Sequence, residues 1–247
     1  MGDQSVQVIS ELGKAQGSYS GDGTLFVTKR KSVSRRRAFT QNEYNRIIQV
    51  MNGDGWLKVG KHQNDRRLER YRQMLRAYVI FMANTGLRVG EARNLRWKDI
   101  SFATNGAGHE ICKVWVSQTH SKVKKRREVI ATSEAARAIK ELHSIRKGMN
   151  DYCTDDDLIW CNEQGRNIKD FREGFNHLLV MADAELDSDR NKHTIYCLRH
   201  FYITERLREG VAIYEIASNC GTSVDMIERY YSDARAADFT DRLTGQN

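Results

Sequence analysis

The sequence predicts an α+β fold, mainly α, with one small antiparallel β-sheet. Three observations carry that expectation. Apolar residues recur at helical spacing in several stretches, most clearly Leu68 to Asn84. Between residues 110 and 131 the pattern switches to strand character on either side of a basic turn. Capping residues and glycines separate these stretches. No internal repeat is visible.

The lead-in, residues 1–28, is Gly- and Ser-rich and reads as a loop or a disordered segment, with Gly17–Gly23 its clearest part. Lys29–Arg37 follows, with six basic residues in nine: Lys29, Arg30, Lys31, Arg35, Arg36 and Arg37. It reads as a solvated linker, as an arm lying on DNA phosphates, or as a nuclear-import signal. Residues 1–37 are therefore expected to be a flexible, basic lead-in, and 38–247 the folded domain.

Thr40 and Glu43 form a capping box, and Phe39 can staple the helix that Tyr44, Ile47, Ile48 and Met51 continue. Asn52-Gly53-Asp54-Gly55 is expected to stop it, and residues 56–66 read as a loop. The helix from Leu68 to Asn84 breaks at Thr85-Gly86. A short helix from Leu87 to Leu95 should carry Arg88 in its first turn. Ile111, Val114 and Val116 lead into SKVKKRREV, which returns through Val129 and Ile130 as a hairpin. Thr132 should cap a helix running to about Lys147. Leu158-Ile159-Trp160 is a short apolar segment with a turn after it. Phe171, Phe175, Leu178 and Leu179 lie on a further helix. From His193 to Asp233 a helical pattern, a Gly break and a second short helical pattern are expected.

With 247 residues and a net charge of +8, the chain can bury a core and favours a polyanionic partner, nucleic acid before an anionic membrane. No apolar run approaches the roughly 18 residues of a spanning helix, and the N-terminus lacks a signal-peptide core. Five cysteines without a C-x-x-C pair predict reduced thiols and no zinc site. No metal and no cofactor is expected. The expected location is the cytoplasm of a bacterial cell, on the nucleoid when bound to DNA.

The stretch from His193 to Asp233 is the richest in chemistry. Arg199 stands beside His200 near its start, and Tyr230 and Tyr231 close it. Arg199 is read as holding a phosphate that Tyr231 attacks. Breaking a phosphodiester through tyrosine needs guanidinium groups for the charge on the non-bridging oxygens. It also needs a lysine or histidine to move protons, and a phenol that loses its own.

These residues fall into motifs. Thr85–Ile100, TGLRVGEARNLRWKDI, resembles the first catalytic motif of the tyrosine recombinase (phage integrase) family. Ser121–Ile130 resembles the family's hairpin turn, Tyr196–Thr204 its second arginine motif, and Gly221–Asp233 its nucleophile motif. The resemblance covers roughly residues 38–235 and implies the helical tyrosine-recombinase catalytic fold. It implies that Arg88 and Arg199 hold the scissile phosphate, with Glu91 supporting. Lys122 is then the general acid, and Tyr231 the nucleophile that leaves a 3′-phosphotyrosyl link. His200 matches a histidine common in the family. Lys124, Lys125, Arg126 and Arg127 join the lead-in basic residues as candidate DNA contacts. Two positions depart from the family pattern: Tyr196 and Thr222 stand where histidine, or at the second position tryptophan, is usual. Each can still donate a hydrogen bond, and His193 or His200 could take over the proton transfer.

The expected function is site-specific recombination of double-stranded DNA, integrating or excising a mobile element. The chain is expected to be a monomer alone and a tetramer on DNA. Relatives carry a separate helical DNA-clamping domain, and residues 1–37 are too short and polar to form one. The chain therefore reads as an isolated catalytic domain or a truncated protein. A DNA-binding module of the same fold that no longer cuts and a type IB topoisomerase are the alternatives. Arg88 with Glu91 also reads as an ordinary i,i+3 ion pair, and the basic hairpin as a solvated or phosphate-gripping turn.

Overall fold

The computed structural model describes residues 17–19, 25–27, 37–57, 65–119 and 126–231. The chain divides into two units, Met1–Arg35 and Arg36–Asn247. In the first, β1 (Gly17–Tyr19) pairs antiparallel with β2 (Leu25–Val27), a ladder the Gly/Ser composition did not announce.

The second unit opens with α1 (Gln41–Asn52). Thr40 accepts from the Glu43 backbone, and the Glu43 carboxylate accepts from the Thr40 backbone, so the capping box forms as read. Gly53 ends α1, its N–H donating to Gln49 O and Val50 O. The chain then turns directly into α2 (Asp54–Leu57) instead of a loop. The anchor is Trp56, buried at 2% exposure, with the Arg72 guanidinium over its ring.

The core is built on α3 (Arg66–Thr85), capped by Asp65. Met74, Leu75, Tyr78, Val79, Phe81 and Met82 are all buried, since α5, α6 and α7 pack around it. Beyond it come α4 (Val89–Ala92), a 3-10 turn (Trp97–Asp99), and strands β3 (Ile100–Thr104), β4 (Glu110–Val116) and β5 (Arg127–Ala131). These strands form one antiparallel sheet in the order β3-β4-β5. The hairpin is as expected, while β3 adds a third strand. Ser101, Phe102 and Thr104 on it are exposed, so it lacks the buried alternation that marks a strand in sequence. Cys112, Val114 and Val116 of β4, with Val129 and Ala131 of β5, face the core.

In α5 (Ser133–Gly148), Thr132 occupies the expected cap position. Its hydroxyl instead donates to Asn84 Oδ1 at 2.7 Å, tying α5 to α3. Arg146 is buried and donates to Leu158 O (3.1 Å) and Ile159 O (2.6 Å), which fixes the connection after α5. Trp160 from the predicted apolar segment is fully buried against Tyr78, ring edge to face at 5.0 Å. After α6 (Arg172–Met181), the last stretch forms three helices: α7 (Tyr196–Arg208), α8 (Ile213–Cys220) and α9 (Val224–Tyr231). Gly210 as well as Gly221 has positive φ, so the expected single break is two. Ile227 of α9 is buried against the cluster of Tyr202, Ile203, Ile216 and Cys220 on α7 and α8. No described helix is long and apolar enough to cross a membrane.

Candidate active site

The site forms around the C-terminal end of α8. A helix end leaves backbone carbonyls without partners and carries partial negative charge. Here the backbone turns through a Schellman motif. Gly221 N–H donates to Ser218 O, and Thr222 N–H donates to Ala217 O at 2.9 Å. The carbonyls that follow are taken by side chains from three other elements. Arg199 Nη1 donates to Cys220 O at 2.9 Å, Arg88 Nη2 to Gly221 O at 2.5 Å, and Arg127 to Asn219 O and Cys220 O, each at 3.3 Å.

Two glycines make this convergence possible. Gly86 caps α3 with φ +62, and its carbonyl accepts from Arg199 Nη1 at 2.5 Å. A Cβ there would lie 2.4 Å from Tyr202 Cδ1 and 2.7 Å from Cys220 Sγ. Gly221 has φ +63, and a Cβ there would meet the Arg127 guanidinium carbon at 2.6 Å. An L side chain is strained at such φ and has no room at either position.

The helix expected from Leu87 to Leu95 spans only Val89–Ala92, so Arg88 precedes it as the N-cap residue instead of lying in its first turn. The Glu91 carboxylate accepts from the Arg88 backbone N–H at 3.1 Å and from Arg88 Nη1 at 3.0 Å. The i,i+3 pair is therefore present, with the Glu91 side chain buried. Glu91 has a second partner: Arg127 Nη1 and Nη2 approach its two oxygens at 3.1 and 2.7 Å. Burial pushes the Glu91 carboxyl up. The hydrogen bonds and charges of Arg127, then Arg88, outweigh this and hold it below the ordinary carboxylate range.

On α7, Tyr196, Arg199 and His200 follow helical spacing, so they share one side. Arg199 is buried, Tyr196 is 39% exposed, and the His200 ring meets the Tyr196 ring edge to face at 4.9 Å. Thr222 is half-buried directly after Gly221. His193 packs elsewhere: its ring lies 4.1 Å from Phe39, and Nδ1 donates to Ala184 O at 3.0 Å. It is a core histidine of the α1–α6 side. Two other nucleophile types near the arginines are held protonated. Burial pushes the Cys220 thiol up to about 11 against the pull of Arg199, Arg127 and Arg88, and burial pushes the Tyr202 phenol up to about 12.

The structure thus brings Arg88, Glu91, Arg199 and Thr222 together around one helix end, with α9 and its last residue Tyr231 following directly. Arg127, expected among the DNA contacts, is turned inward onto Glu91. Arg126 is exposed, its guanidinium stacked 4.7 Å over the Trp115 ring, and Arg37 is paired with Asp189 at 2.7 Å. Lys29, Arg30, Lys31, Arg35, Arg36, Lys122, Lys124 and Lys125 lie outside the described residues, as does the side chain of Tyr231.

Sequence reasoning missed the inward placement of Arg127 on Glu91, and it missed Asn219 altogether. For Arg127 a signal existed: Val129 and Ala131 face inward on β5, so strand alternation puts residue 127 on the same side. Asn219 carried none. Its side chain accepts from Ile130 N–H (2.8 Å) and donates to Ile130 O (3.1 Å) and the Tyr202 hydroxyl (2.9 Å), clamping α8 to the β5 edge.

Residues 37–237 match the phage integrase family. The chain belongs to that family. Among solved structures, the chain resembles the XerH site-specific recombinase bound to its difH substrate in a pre-cleavage complex. The TM-score is 0.60 and the identity 17%, over 86% of this chain and 55% of that one. It resembles the XerA recombinase with TM-score 0.60 at 21% identity, covering 87% and 66%. It resembles the Tn1549 transposon integrase in complex with transposon right-end DNA with TM-score 0.55 at 14% identity, covering 88% and 68%. At these identities the likeness shows the fold: the helical tyrosine-recombinase catalytic fold with its small sheet. The chain spans 55% of the XerH chain and 66% of the XerA chain. No curated protein sequence matches it.

Proposed function

We propose that this chain cuts and rejoins double-stranded DNA as a tyrosine-type site-specific recombinase. The observation that carries the reading is the convergence of Arg88 and Arg199 on the end of α8, immediately before the helix that ends in Tyr231. Family membership and the fold support it.

In this reading Arg88 and Arg199 bind the non-bridging oxygens of the scissile phosphate. Their charge opposes the negative charge that grows there as phosphorus becomes five-coordinate. The Tyr231 Oη forms the new bond to phosphorus, and the bond from phosphorus to the 5′-oxygen breaks. The phenolic proton is lost, and the departing 5′-oxygen gains one from Lys122, so a 5′-hydroxyl and a 3′-phosphotyrosyl link result. His200, with Tyr196 and Thr222, completes the hydrogen bonding around the phosphate. Attack by a 5′-hydroxyl reverses the step on a new partner strand. The link conserves the bond energy, so the exchange needs no nucleotide cofactor. Integration or excision of a mobile element is the use we favour, because a transposon integrase is among the structural relatives. A tetramer on DNA would supply four strands to four sites.

Tyr196 and Thr222, which stand where the family pattern has histidine, or at the second position tryptophan, favour a second reading: a DNA-binding module that no longer cuts. One experiment separates the two. The chain is incubated with a library of nicked duplexes of randomised sequence, in which cleavage releases a short fragment and traps the enzyme. A covalent adduct that vanishes in Tyr231→Phe supports the recombinase. Binding selected from the library without any adduct supports the module. Relaxation of supercoiled plasmid without a defined site would instead place the chain with the type IB topoisomerases.

A further inference from the structure

Arg127 belongs to a run of basic residues whose obvious use is to meet DNA, yet its side chain is 11% exposed and points at the site. Four of the five N–H groups of its guanidinium are engaged: Nη1 and Nη2 on the two Glu91 oxygens, Nη2 again on Cys220 O, and Nε on Asn219 O. A side-by-side grip on a phosphate requires two of those groups. Keeping the fork on Glu91 and α8 is incompatible with gripping phosphate in the same way.

The charge count around the site makes the arrangement consequential. Glu91 is buried and ionised, and it touches Arg88. Were Arg88 its sole partner, carboxylate and guanidinium would cancel, and the phosphate would meet a neutral pair. With Arg127 on the other side, Arg88, Glu91 and Arg127 sum to one positive charge, which stays beside the reacting group. The same side chain also links separate parts of the chain. It sits on the first residue of β5, directly after the hairpin turn, and bonds the end of α8, one step before Gly221 and Thr222. Gly221 leaves the space the guanidinium occupies.

We propose that Arg127 is a positioning residue of the cleavage chemistry. It holds Glu91 and the α8 carboxyl end so that Arg88 and Arg199 present their charge to the scissile phosphate, and it makes no contact with DNA. This rests on the recombinase reading above.

The test compares the wild-type chain with Arg127→Lys and Arg127→Ala. Single-turnover adduct formation on a nicked duplex is measured beside equilibrium DNA affinity and the melting temperature. Arg127→Ala should form adduct about 100-fold more slowly, the scale of a small misplacement of reacting groups, at wild-type DNA affinity. Arg127→Lys keeps the charge without the fork, and its rate should fall between the two. A folded Arg127→Ala that forms adduct at the wild-type rate overturns the proposal. So does a loss of DNA affinity that matches the loss of rate, which would make Arg127 a DNA contact. If Arg127→Ala does not fold, Arg127→Lys decides: slower adduct at wild-type affinity and melting temperature supports the proposal, and a wild-type rate overturns it. A wild-type chain that forms no adduct on any duplex defeats the recombinase reading itself, and the proposal with it.

Discussion

Glu91 lies between two guanidiniums at 2% exposure, and its ionisation is tied to the fold. Burial raises the proton affinity of the carboxyl, and Arg127 with Arg88 more than reverses this, leaving it below its ordinary value of 4.5. A carboxylate depressed by folding stabilises the native state above its unfolded value, and that contribution disappears as pH falls through the folded one. Asp151, whose burial is likewise outweighed by Arg70, acts with the same sign from an ordinary value of 3.8. The melting temperature should therefore fall as pH drops below 4.5, and Glu91→Gln should flatten part of that fall in a calorimetric pH series. Glu91→Ala leaves two half-buried guanidiniums without their carboxylate and should destabilise the fold in denaturant unfolding, by less than the roughly 3–5 kcal/mol of a fully buried pair. The Arg88–Glu91 pair was legible in sequence because its spacing is local. The partner on Arg127, 36 residues away, was hidden in a basic run. There a period-2 strand sends Arg126 outward and Arg127 inward, while composition treats both alike.

Among the elements, α8 has the greatest leverage, since it is bound at its end by arginines and along its side by Asn219. Asn219→Ala would leave the Ile130 N–H and C=O at the sheet edge without these partners. These bonds are solvent-exposed, so the loss should cost about 0.5–1.5 kcal/mol and speed hydrogen exchange at the Ile130 amide more than at Val129. Gly221→Ala combines a positive φ with contact against Arg127, and should destabilise by more than about 1 kcal/mol, read from the denaturant midpoint. The helices were legible because their apolar stripes and caps are local: the Thr40–Glu43 box and the α3 pattern need no partner to be recognised. Strand β3 and helix α2 were not. The first is an exposed edge strand stabilised by β4, and the second depends on the burial of one tryptophan, a tertiary effect that overrides the Gly-Asp-Gly stop signal.

At the scale of the whole chain, a net charge of +8 makes DNA binding an electrostatic matter, with affinity falling as salt rises. Each phosphate contact contributes about 0.9 to the slope of log affinity against log salt. Arg126, exposed over Trp115, and Arg127, turned inward, stand side by side in sequence and differ in expectation. Arg126→Ala should flatten the slope by about 0.9, and Arg127→Ala should leave it unchanged, in titrations by fluorescence anisotropy. Family membership and fold were legible from motif order alone. What the motifs could not give is how the parts are wired: three arginines sharing the carbonyls of one helix end, two of them sharing one carboxylate. The most direct test of a phosphate pocket served by a tyrosine is denaturing electrophoresis of the chain after incubation with labelled nicked duplex. The predicted result is a labelled covalent band in the wild-type lane, absent in Tyr231→Phe and strongly reduced in Arg88→Ala and Arg199→Ala. A band that persists in Tyr231→Phe, or survives loss of both arginines, would contradict it.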